Sequence, residues 1–350
     1  MKILSKFFPS PNYLNIPCFG VYISDASIKY VQIDSNGFFD NLGKFGVINL
    51  EEGLVVNGEI KNPIKIIEIL RELKNREKIN FARIGIQDNK VFQYTIDVSI
   101  EKIKNIQQIV EASVEEYAKS SFKNFEMDYE IVESNIKNIT VLVFVSKKST
   151  INNFVSVFDK AKIKLVSIEP IGNALVRALV RDSKNYLIVD IGKKKTYLHF
   201  VKNSKKVFSD EINFGGDAIT NSLKKELGVP FLEAENSKIK IGLKKSTESK
   251  EIFDVLTNSI SALKEKINNT YVDWATSNSE SGFKIENIII SGGTANMFGL
   301  RDYLAITLRI PVKIANPWVN LKTKDSFVPT MSYEESLSFA QVIGLSMAEK

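Results

Sequence analysis

The sequence predicts an α/β protein built from two related halves, with a smaller α+β unit inserted into the first half. Residues 19–34, FGVYISDASIKYVQID, and residues 186–200, YLIVDIGKKKTYLHF, both have the pattern of a strand, a tight turn and a second strand. Further strands and a helix follow each segment, which indicates an internal repeat with almost no shared residues. A length of 350 residues is also typical of more than one domain.

The composition, with 44% hydrophobic and 25% charged residues, is that of a folded globular protein and excludes a fibrous or low-complexity chain. The sequence contains no run of 18 apolar residues that would predict a membrane-spanning helix. Pro9 and Pro11 interrupt the N-terminal segment before it can form the apolar region of a signal peptide. We therefore expect a cytoplasmic protein.

The net charge of +6 is compatible with a nucleotide, a nucleic acid or an anionic membrane surface as a partner. Aromatic residues are not interleaved with the lysines as in a base-stacking platform, so we expect no nucleic-acid partner. Cys18 is the single cysteine and is interpreted as a buried structural thiol, which excludes an internal disulfide and a cysteine metal cluster. His199 is the single histidine, which leaves histidine-based metal or triad chemistry without partners.

The first half has the pattern of strands followed by a helix and a further strand. Asn36-Gly37 is typical of a hairpin turn, and Asn62 is the predicted N-cap of a helix in NPIKIIEILRELKNREK. FARIGIQDNKVFQYTIDVS returns to a strand pattern around a turn at Asp88-Asn89. The helical segment EKIKNIQQIVEASVEEYAKSSF, two strands, the helical segment TINNFVSVFDKAK and the strand IKLVSIEP then predict the inserted α+β unit.

The second half alternates strands with glycine turns and helices. KKVFSDEINFGGDAITNSLKKELG predicts a strand, a turn at Gly215-Gly216 and a helix, and a long helix follows from Ile252 to about Trp274. After the polar loop SNSESG, the buried strand NIIIS leads through a second glycine turn to another helix. SLSFAQVIGLSMAEK is predicted to form one terminal helix.

The later of the two repeated segments has the pattern D-x-G-x-x-x-T, with Asp190, Gly192 and Thr196. Glycine at such a turn lets backbone N–H groups approach a phosphate, and a carboxylate beside phosphates suits magnesium. The threonine hydroxyl can donate a hydrogen bond. The pattern therefore indicates phosphate chemistry, with a plain β-hairpin as the alternative.

Two further patterns are compatible with nucleotide binding. Gly292, Gly293 and Thr294 join a buried strand to a helix, where unpaired N–H groups favour an anion, although any tight connection of this kind prefers glycine. Glu235 and Lys238 are three residues apart and share one helical face. This pair is suited to contact a ribose and a base, or it forms an ordinary exposed ion pair.

Several of these motifs, in this order, resemble one protein family. The segment at 19–34, SIEPIGNAL, the D-x-G-x-x-x-T turn, GGDAIT, AENSKIKIG and IIISGGTANMFGL are together similar to the actin-like ATPase superfamily and, within it, to the PilM family of type IV pilus assembly. The resemblance implies an α/β, bilobed actin-like ATPase fold with two ribonuclease-H-like halves and an inserted α+β subdomain. The implied divisions are a first half at 1–97, completed by 168–182 and 335–350, an insertion at 98–167 as in PilM and FtsA, and a second half at 183–334 with a helical subdomain at 217–284.

The same resemblance implies a site for ATP or ADP with Mg²⁺. Glu169 takes the place of the residue that orients the attacking water, and Asp190 takes the place of a metal partner in the second phosphate loop. The other implied nucleotide-binding residues are Ser24, Ser27, Lys29, Gly192, Lys193, Thr196, Gly215, Gly216, Glu235, Lys238, Gly292, Gly293 and Thr294.

The first phosphate loop departs from the family pattern G-I-D-I-G-S-S-S-V-K, because this chain has GVYISDASIK. Tyr22 replaces the aspartate, which removes a magnesium partner, and Ser24 replaces a glycine. Asp25, three residues after Tyr22, points elsewhere in a regular strand-turn register. In the second loop, lysines 193–195 replace small or hydroxylated residues, and a lysine there can neutralise phosphate charge without a metal. We therefore expect ATP hydrolysis to be slow or lost.

The resemblance also implies a role and partners. The leading hypothesis is a scaffold of type IV pilus assembly, or of a related secretion system, that binds the N-terminal cytoplasmic tail of a PilN-type inner-membrane protein between its first subdomain and the insertion. It implies contacts with other pilus assembly platform proteins and a location at the inner face of the cytoplasmic membrane through the partner. It is also compatible with a homo-oligomer. The alternatives are a nucleotide-free pseudo-ATPase scaffold and an FtsA-like cell-division filament protein, for which MKILSKFF would have to act as a membrane foot.

Overall fold

The computed structural model describes residues 18–35, 38–277 and 283–347. The described residues form two five-stranded sheets with the same plan, one in each lobe. In each sheet, a central strand pairs antiparallel with the next strand of the chain, which pairs antiparallel with a third, while two later strands extend the other side in parallel. This shared plan confirms the predicted repeat and the predicted α/β fold of two halves.

The first sheet has the order β10-β6-β1-β2-β3, and the second has the order β13-β12-β11-β14-β15. A three-stranded sheet has the order β7-β9-β8, and β4 pairs with β5. The strands are β1 Phe19–Ile23, β2 Ser27–Ser35, β3 Asp40–Asn49, β4 Val55–Val56, β5 Glu59–Ile60, β6 Phe81–Ile86, β7 Val91–Ser99, β8 Phe125–Ser134, β9 Asn138–Lys147, β10 Lys164–Pro170, β11 Tyr186–Ile191, β12 Thr196–Lys202, β13 Lys205–Ile212, β14 Asn287–Ser291 and β15 Val312–Ile314.

The helices agree with the predicted segments, apart from the last. They are α1 Pro63–Glu77, α2 Ile106–Ala118, α3 Lys148–Lys160, α4 Ile171–Leu179, α5 Gly216–Leu227, α6 Phe231–Lys240, α7 Lys250–Ser277, α8 Leu300–Leu308, α9 Tyr333–Leu337 and α10 Ala340–Ser346. Asn62 caps α1 as predicted, because its side chain accepts a hydrogen bond from Lys65 N. The prediction of a single terminal helix is wrong. The helix α9 ends at Leu337, where the Ser338 hydroxyl donates to the Glu335 carbonyl oxygen, and α10 begins at Ala340 after a break of two residues.

Two helices, α4 and α10, pack against each other, and both contact β6. In addition, α4 contacts β13 and α10 contacts β1. Their apolar side chains join those of β11 and β14 in the largest core of the protein. A Cβ atom at Gly344 in α10 would lie 1.8 Å from the Ala174 carbonyl oxygen in α4, so the helices can approach this closely only because residue 344 is glycine. The pair therefore couples the two lobes through one continuous core.

The insertion has a core of its own, in which α2 packs on the sheet of β7, β9 and β8 through Val110, Val114, Val141 and Val143. The strand β10, which we expected in this unit, instead pairs in parallel with β6 and so belongs to the first sheet. The helix α3 buries Phe154 and residues near it in the core of the first lobe. The sequence pattern could not place β10 or α3, because it reveals neither which sheet edge a strand joins nor which core a helix packs on. The division into domains stays a prediction.

Three features considered from the sequence lie outside the described residues: the turn at Asn36-Gly37, most of the polar loop after Ser277, and the N-terminal MKILSKFF segment. Over the ranges that are described, no helix combines the length and the apolar character needed to cross a bilayer.

Candidate functional site

A cavity of about 170 Å³ lies where the two repeated hairpins face each other. Its walls come from the turn between β1 and β2, the loop between β11 and β12, the glycine turn after β14, and the break between α9 and α10. Most pockets for whole small ligands have about 300 to 1,000 Å³. The open space therefore suits a small group or one end of a larger molecule.

Asp190 stands near the end of β11, between Tyr197 of β12 and Ser291 of β14, and its side chain is buried at the cavity wall. Its Oδ2 accepts a hydrogen bond from Gln341 Nε2 at 2.5 Å. Burial raises the pKa of Asp190 to about 6, although the Lys29 charge and the Gln341 hydrogen bond oppose this shift. The fold therefore holds a carboxylate in a place that disfavours its charged form.

The turn at Gly292 packs directly on Asp190. Gly292 has φ +84°, and a Cβ atom there would lie 2.4 Å from the Ile191 carbonyl oxygen and 2.7 Å from Asp190 Oδ1. Only glycine combines this backbone conformation with so close an approach. The neighbouring strands β11 and β14 thus bring Asp190, Gly292 and Gly293 together at one wall of the cavity.

The loop at residues 192–195 rests on the start of α5. Gly216 N donates to the Gly192 carbonyl oxygen and Asp217 N to the Lys193 carbonyl oxygen, both at 2.9 Å. The Thr196 hydroxyl donates to the Phe214 carbonyl oxygen at 2.7 Å, and its side chain is buried. Gly215, Gly216 and Thr196 therefore support the loop from behind and do not line the cavity.

Four lysines line the cavity. Lys29 Nζ donates to the Ser338 carbonyl oxygen at 2.5 Å, in the break between α9 and α10. Lys194 pairs with the exposed Glu52 at 3.2 Å, and Lys195 pairs with Glu211 at 2.8 Å. Lys193 forms no ion pair within the described part of the chain. The cavity is thus lined by more cationic than anionic side chains.

The turn of the first hairpin is held by its own serines. The Ser24 hydroxyl donates to the Ser27 carbonyl oxygen at 3.0 Å and accepts from Ser27 N at 3.1 Å. Ser24 lines the cavity, whereas the Ser27 side chain is buried in the turn and does not reach it. Asp25 also lines the cavity, but its two carboxylate oxygens accept hydrogen bonds from Asn57 N and Gly58 N, each at 2.8 Å.

Tyr22 lies in β1 at the cavity wall and is 4% exposed. Its hydroxyl makes no hydrogen bond of good geometry among the described residues, although the Tyr197 hydroxyl lies close enough to feel its O–H group. Burial, and then the charges around it, raise the pKa of Tyr22 well above its usual range. Tyr22 therefore keeps its proton and offers an unused O–H donor at the cavity.

The predicted ribose-binding pair forms a closed cluster away from this cavity. Lys238 is buried and donates to Glu235 Oε2 at 2.7 Å and to the Thr220 hydroxyl at 3.0 Å, and Thr220 also bonds Glu235. The Thr294 hydroxyl lies next to this cluster, because a Cβ atom at Gly216 would lie 2.6 Å from Thr294 Oγ1 and 3.2 Å from Lys238 Nζ. Glu235, Lys238 and Thr294 therefore lie side by side but do not line the open cavity.

Glu169 is the penultimate residue of β10 and does not line the cavity. Its carboxylate forms an ion pair with Arg177 of α4, and Arg177 also donates to the Gly344 carbonyl oxygen at 3.0 Å. This arrangement uses Glu169 to tie β10 to the central helix pair.

The donor set fits Mg²⁺ poorly. Magnesium prefers carboxylate oxygens, phosphates and retained waters. Asp25 is bonded to two backbone amides, and Asp190 is bonded to an amide group beside the Lys29 charge, in surroundings that favour its protonated form. No group of three metal-binding side chains occurs in the described ranges.

The sequence did not reveal Gln341, Ser338 or Tyr197 as wall residues of the cavity. The available signal was a single glutamine in an otherwise apolar terminal segment, SFAQVIGL. A polar side chain on the buried face of a helix requires a hydrogen-bond partner, and here the partner is Asp190.

Two sheets of one plan that enclose a cavity between paired hairpin turns define a protein of the actin-like ATPase fold. The chain belongs to the family described as type IV pilus assembly protein PilM, whose sequence profile matches residues 20–350. The predicted family is thereby confirmed.

Solved structures show the same fold. A PilM-PilN type IV pilus biogenesis complex is similar to the chain with a TM-score of 0.72 and 18% identity, covering 95% of this chain and 98% of that chain. The ethanolamine utilization protein EutJ from Carboxydothermus hydrogenoformans has a TM-score of 0.57 and 16% identity, covering 97% and 92%. MreB5 of Spiroplasma citri bound to ADP has a TM-score of 0.56 and 14% identity, covering 94% of each chain.

Proposed function

We propose that the protein is a cytoplasmic, actin-like scaffold of type IV pilus assembly, or of a related secretion system, that binds the N-terminal tail of a PilN-type inner-membrane protein. The match of the PilM family over residues 20–350 is the observation that carries this proposal. The similar solved complex contains PilM together with PilN, which supports a partner of that type. Association with the membrane would then come through the partner.

The cavity between the lobes is proposed to hold ATP or ADP. Its cationic lining supports an anionic ligand, and solved structures of the similar MreB5 protein are bound to ADP and to AMPPNP. In this proposal, Lys29, Lys193, Ser24 and the turn at Gly292 contact phosphates. In this proposal the ribose contacts the Glu235 carboxylate, whose side chain is 30% exposed, while Lys238 stays paired with it.

Hydrolysis is proposed to be slow or lost. A residue that orients water must have its carboxylate available to that water. Glu169 is instead paired with Arg177, outside the cavity, and Tyr22 provides no carboxylate at the first turn. The nucleotide is therefore proposed to act as a ligand that modulates partner binding.

The partner's tail is proposed to dock on the insertion, next to the first lobe. Phe92, at the start of β7, and Tyr117, near the end of α2, are each 53% exposed. Together with Tyr94 they form an aromatic group, with ring centroids 4.3 to 6.2 Å apart. Exposed aromatic side chains of this kind are frequent anchors of peptide and protein partners.

The test is a titration of a synthetic N-terminal tail peptide of the PilN-type protein from the same organism into the full chain. We expect binding by the wild type and at least tenfold weaker binding by a Phe92→Ala, Tyr117→Ala double variant. Ile306→Ala is the matched control, because Ile306 is 76% exposed on the second lobe. No binding by the wild type contradicts the scaffold proposal, whereas equal binding by both variants contradicts only the docking place.

A further inference from the structure

We infer that the cavity binds the polyphosphate end of a nucleotide without a divalent cation, using Lys29 and Lys193 as counter-charges and the Tyr22 hydroxyl as a hydrogen-bond donor. The inference rests on the proposed nucleotide ligand and concerns what neutralises its charge. Three features of the cavity carry it: its free cations, its occupied carboxylates and its unused hydroxyl.

The cations are built into opposite walls. Lys29 projects from β2 and is fixed by the Ser338 carbonyl oxygen at 2.5 Å and by the Phe339 ring, whose centroid lies 5.4 Å from Nζ. Lys193 belongs to the facing loop, whose backbone is fixed on the start of α5. Lys29 makes its hydrogen bond to a neutral carbonyl, and Lys193 forms no ion pair among the described residues. The Lys29 charge acts on Asp190 and the Lys193 charge acts on Asp217, but neither ammonium group forms an ion pair among the described residues. Both can therefore bind an anion that enters between the walls.

The carboxylates are engaged by donors. Asp25 accepts from two backbone N–H groups of the turn between β4 and β5, at 2.8 Å each. Asp190 accepts from Gln341 and faces the Lys29 charge. A hard cation would have to compete with these donors and would add positive charge beside lysines that already supply it.

The hydroxyl supplies the third observation, and it points to a ligand. The Tyr22 O–H group is buried and lines the cavity, and it makes no hydrogen bond of good geometry among the described residues, where its one neighbouring acceptor is the Tyr197 hydroxyl. A buried donor without an acceptor is unfavourable, and a phosphate oxygen would satisfy it. A protonated tyrosine can donate a hydrogen bond to a phosphate oxygen but cannot coordinate Mg²⁺ as a carboxylate does. Residue 22 therefore favours binding of the phosphate and not of the metal ion.

The test is calorimetric titration of ATP into the full chain, once with excess EDTA and once with excess Mg²⁺. We expect ATP to bind in EDTA and excess Mg²⁺ to bring no gain in affinity, because the lysines already supply the counter-charge and Mg²⁺ withdraws ATP into a complex that the cavity does not need. Tyr22→Phe should weaken ATP binding in EDTA about tenfold, which corresponds to the loss of one hydrogen bond to a charged group. Lys193→Met should weaken it by a similar factor, whereas Lys102→Met, an exposed lysine of the insertion, should not change it.

A reverse test uses Tyr22→Asp, which places a carboxylate at the first turn and should make ATP binding depend on Mg²⁺. Binding by the wild type only in Mg²⁺ overturns the inference and leaves the nucleotide proposal intact. Absence of ATP binding in both buffers overturns the inference together with the nucleotide part of the proposed function. Unchanged binding in Tyr22→Phe and Lys193→Met overturns the roles given to these residues.

Discussion

Asp190 of the second lobe accepts a hydrogen bond from Gln341 of the helix α10, with 2.5 Å between Oδ2 and Nε2. Because α10 packs on the first sheet, this bond joins the two lobes at the wall of the cavity. A ligand that enters the cavity meets both residues. A ligand that displaced this hydrogen bond would therefore break one contact between the lobes.

Asp190→Asn should stabilise the protein at pH 7. Burial raises the pKa of Asp190 to about 6, so keeping the group charged at pH 7 costs folding free energy, up to about 3 kcal/mol for a shift of this size. The folded state binds more protons than the unfolded state between pH 6 and 3.8, so the wild type gains stability as the pH falls through this window. The advantage of the variant should therefore shrink toward pH 4, measured by urea unfolding at both pH values; a variant less stable than the wild type at pH 7 would refute this.

The ion pair between Asp88 and Lys206 is a second link between the lobes. Burial opposes the charge of Asp88, but the Lys206 charge and hydrogen bonds from Lys206 and Gly172 N outweigh it and hold the pKa of Asp88 below its usual value. Lys206→Met should cost about 3 to 5 kcal/mol, because it leaves a buried carboxylate without its partner. The double variant with Asp88→Asn should recover most of this loss.

The control for the Lys206→Met variant is Lys205→Met. The Lys205 ammonium pairs with Glu130 at 3.2 Å, and both side chains are about half exposed. Exposed pairs contribute between about 0 and 1 kcal/mol, so chemical denaturation should show a small change. A Lys206→Met variant as stable as this control would mean that the buried pair is dispensable.

His199 should make the stability fall at mildly acidic pH. Burial lowers the pKa of His199 to about 4, although Asp88 opposes the shift, so the folded state keeps the imidazole neutral. The unfolded state binds the additional proton between pH 6.5 and 4, and stability is lost over this window, by up to about 3 kcal/mol from this group. The difference in unfolding free energy between the wild type and His199→Gln should change by that amount from pH 7 to pH 4; a constant difference would exclude this role.

Gly344→Ala should separate the central helices. The added Cβ atom would lie 1.8 Å from the Ala174 carbonyl oxygen, and backbone cannot move away as a side chain can. We expect a loss on the order of 3 kcal/mol or more, measured as a lower midpoint of urea unfolding. Gly293→Ala is the control, because the nearest atom to its new Cβ would be 4.0 Å away. Equal midpoints for the two variants would contradict the close packing of α4 on α10.

The fold was largely predictable because its signals are local. Alternating apolar residues around small polar turns at 19–34 and 186–200 marked the two hairpins, and the N-cap at Asn62 marked the start of α1. The position of β10 was not predictable, because the choice between two sheet edges is made by pairing with β6, far away in the sequence.

The site was predictable where its residues end neighbouring strands. Asp190 and Gly292 meet because β11 and β14 pair in parallel. Hydrogen bonds made elsewhere are not visible in spacing: Thr196 uses its hydroxyl on Phe214, and Lys238 is enclosed with Glu235 and Thr220. Gln341 enters the site from the chain's last helix, which only the tertiary structure brings to Asp190.

We propose that nucleotide in the cavity and peptide at the partner's docking site affect each other's binding. The most direct test titrates the PilN-type tail peptide into the wild-type chain with and without a saturating concentration of ATP. If the nucleotide modulates binding of the partner, ATP must change the dissociation constant of the peptide, and we predict a change of at least about fivefold. Peptide binding that is the same with and without ATP would contradict the claim.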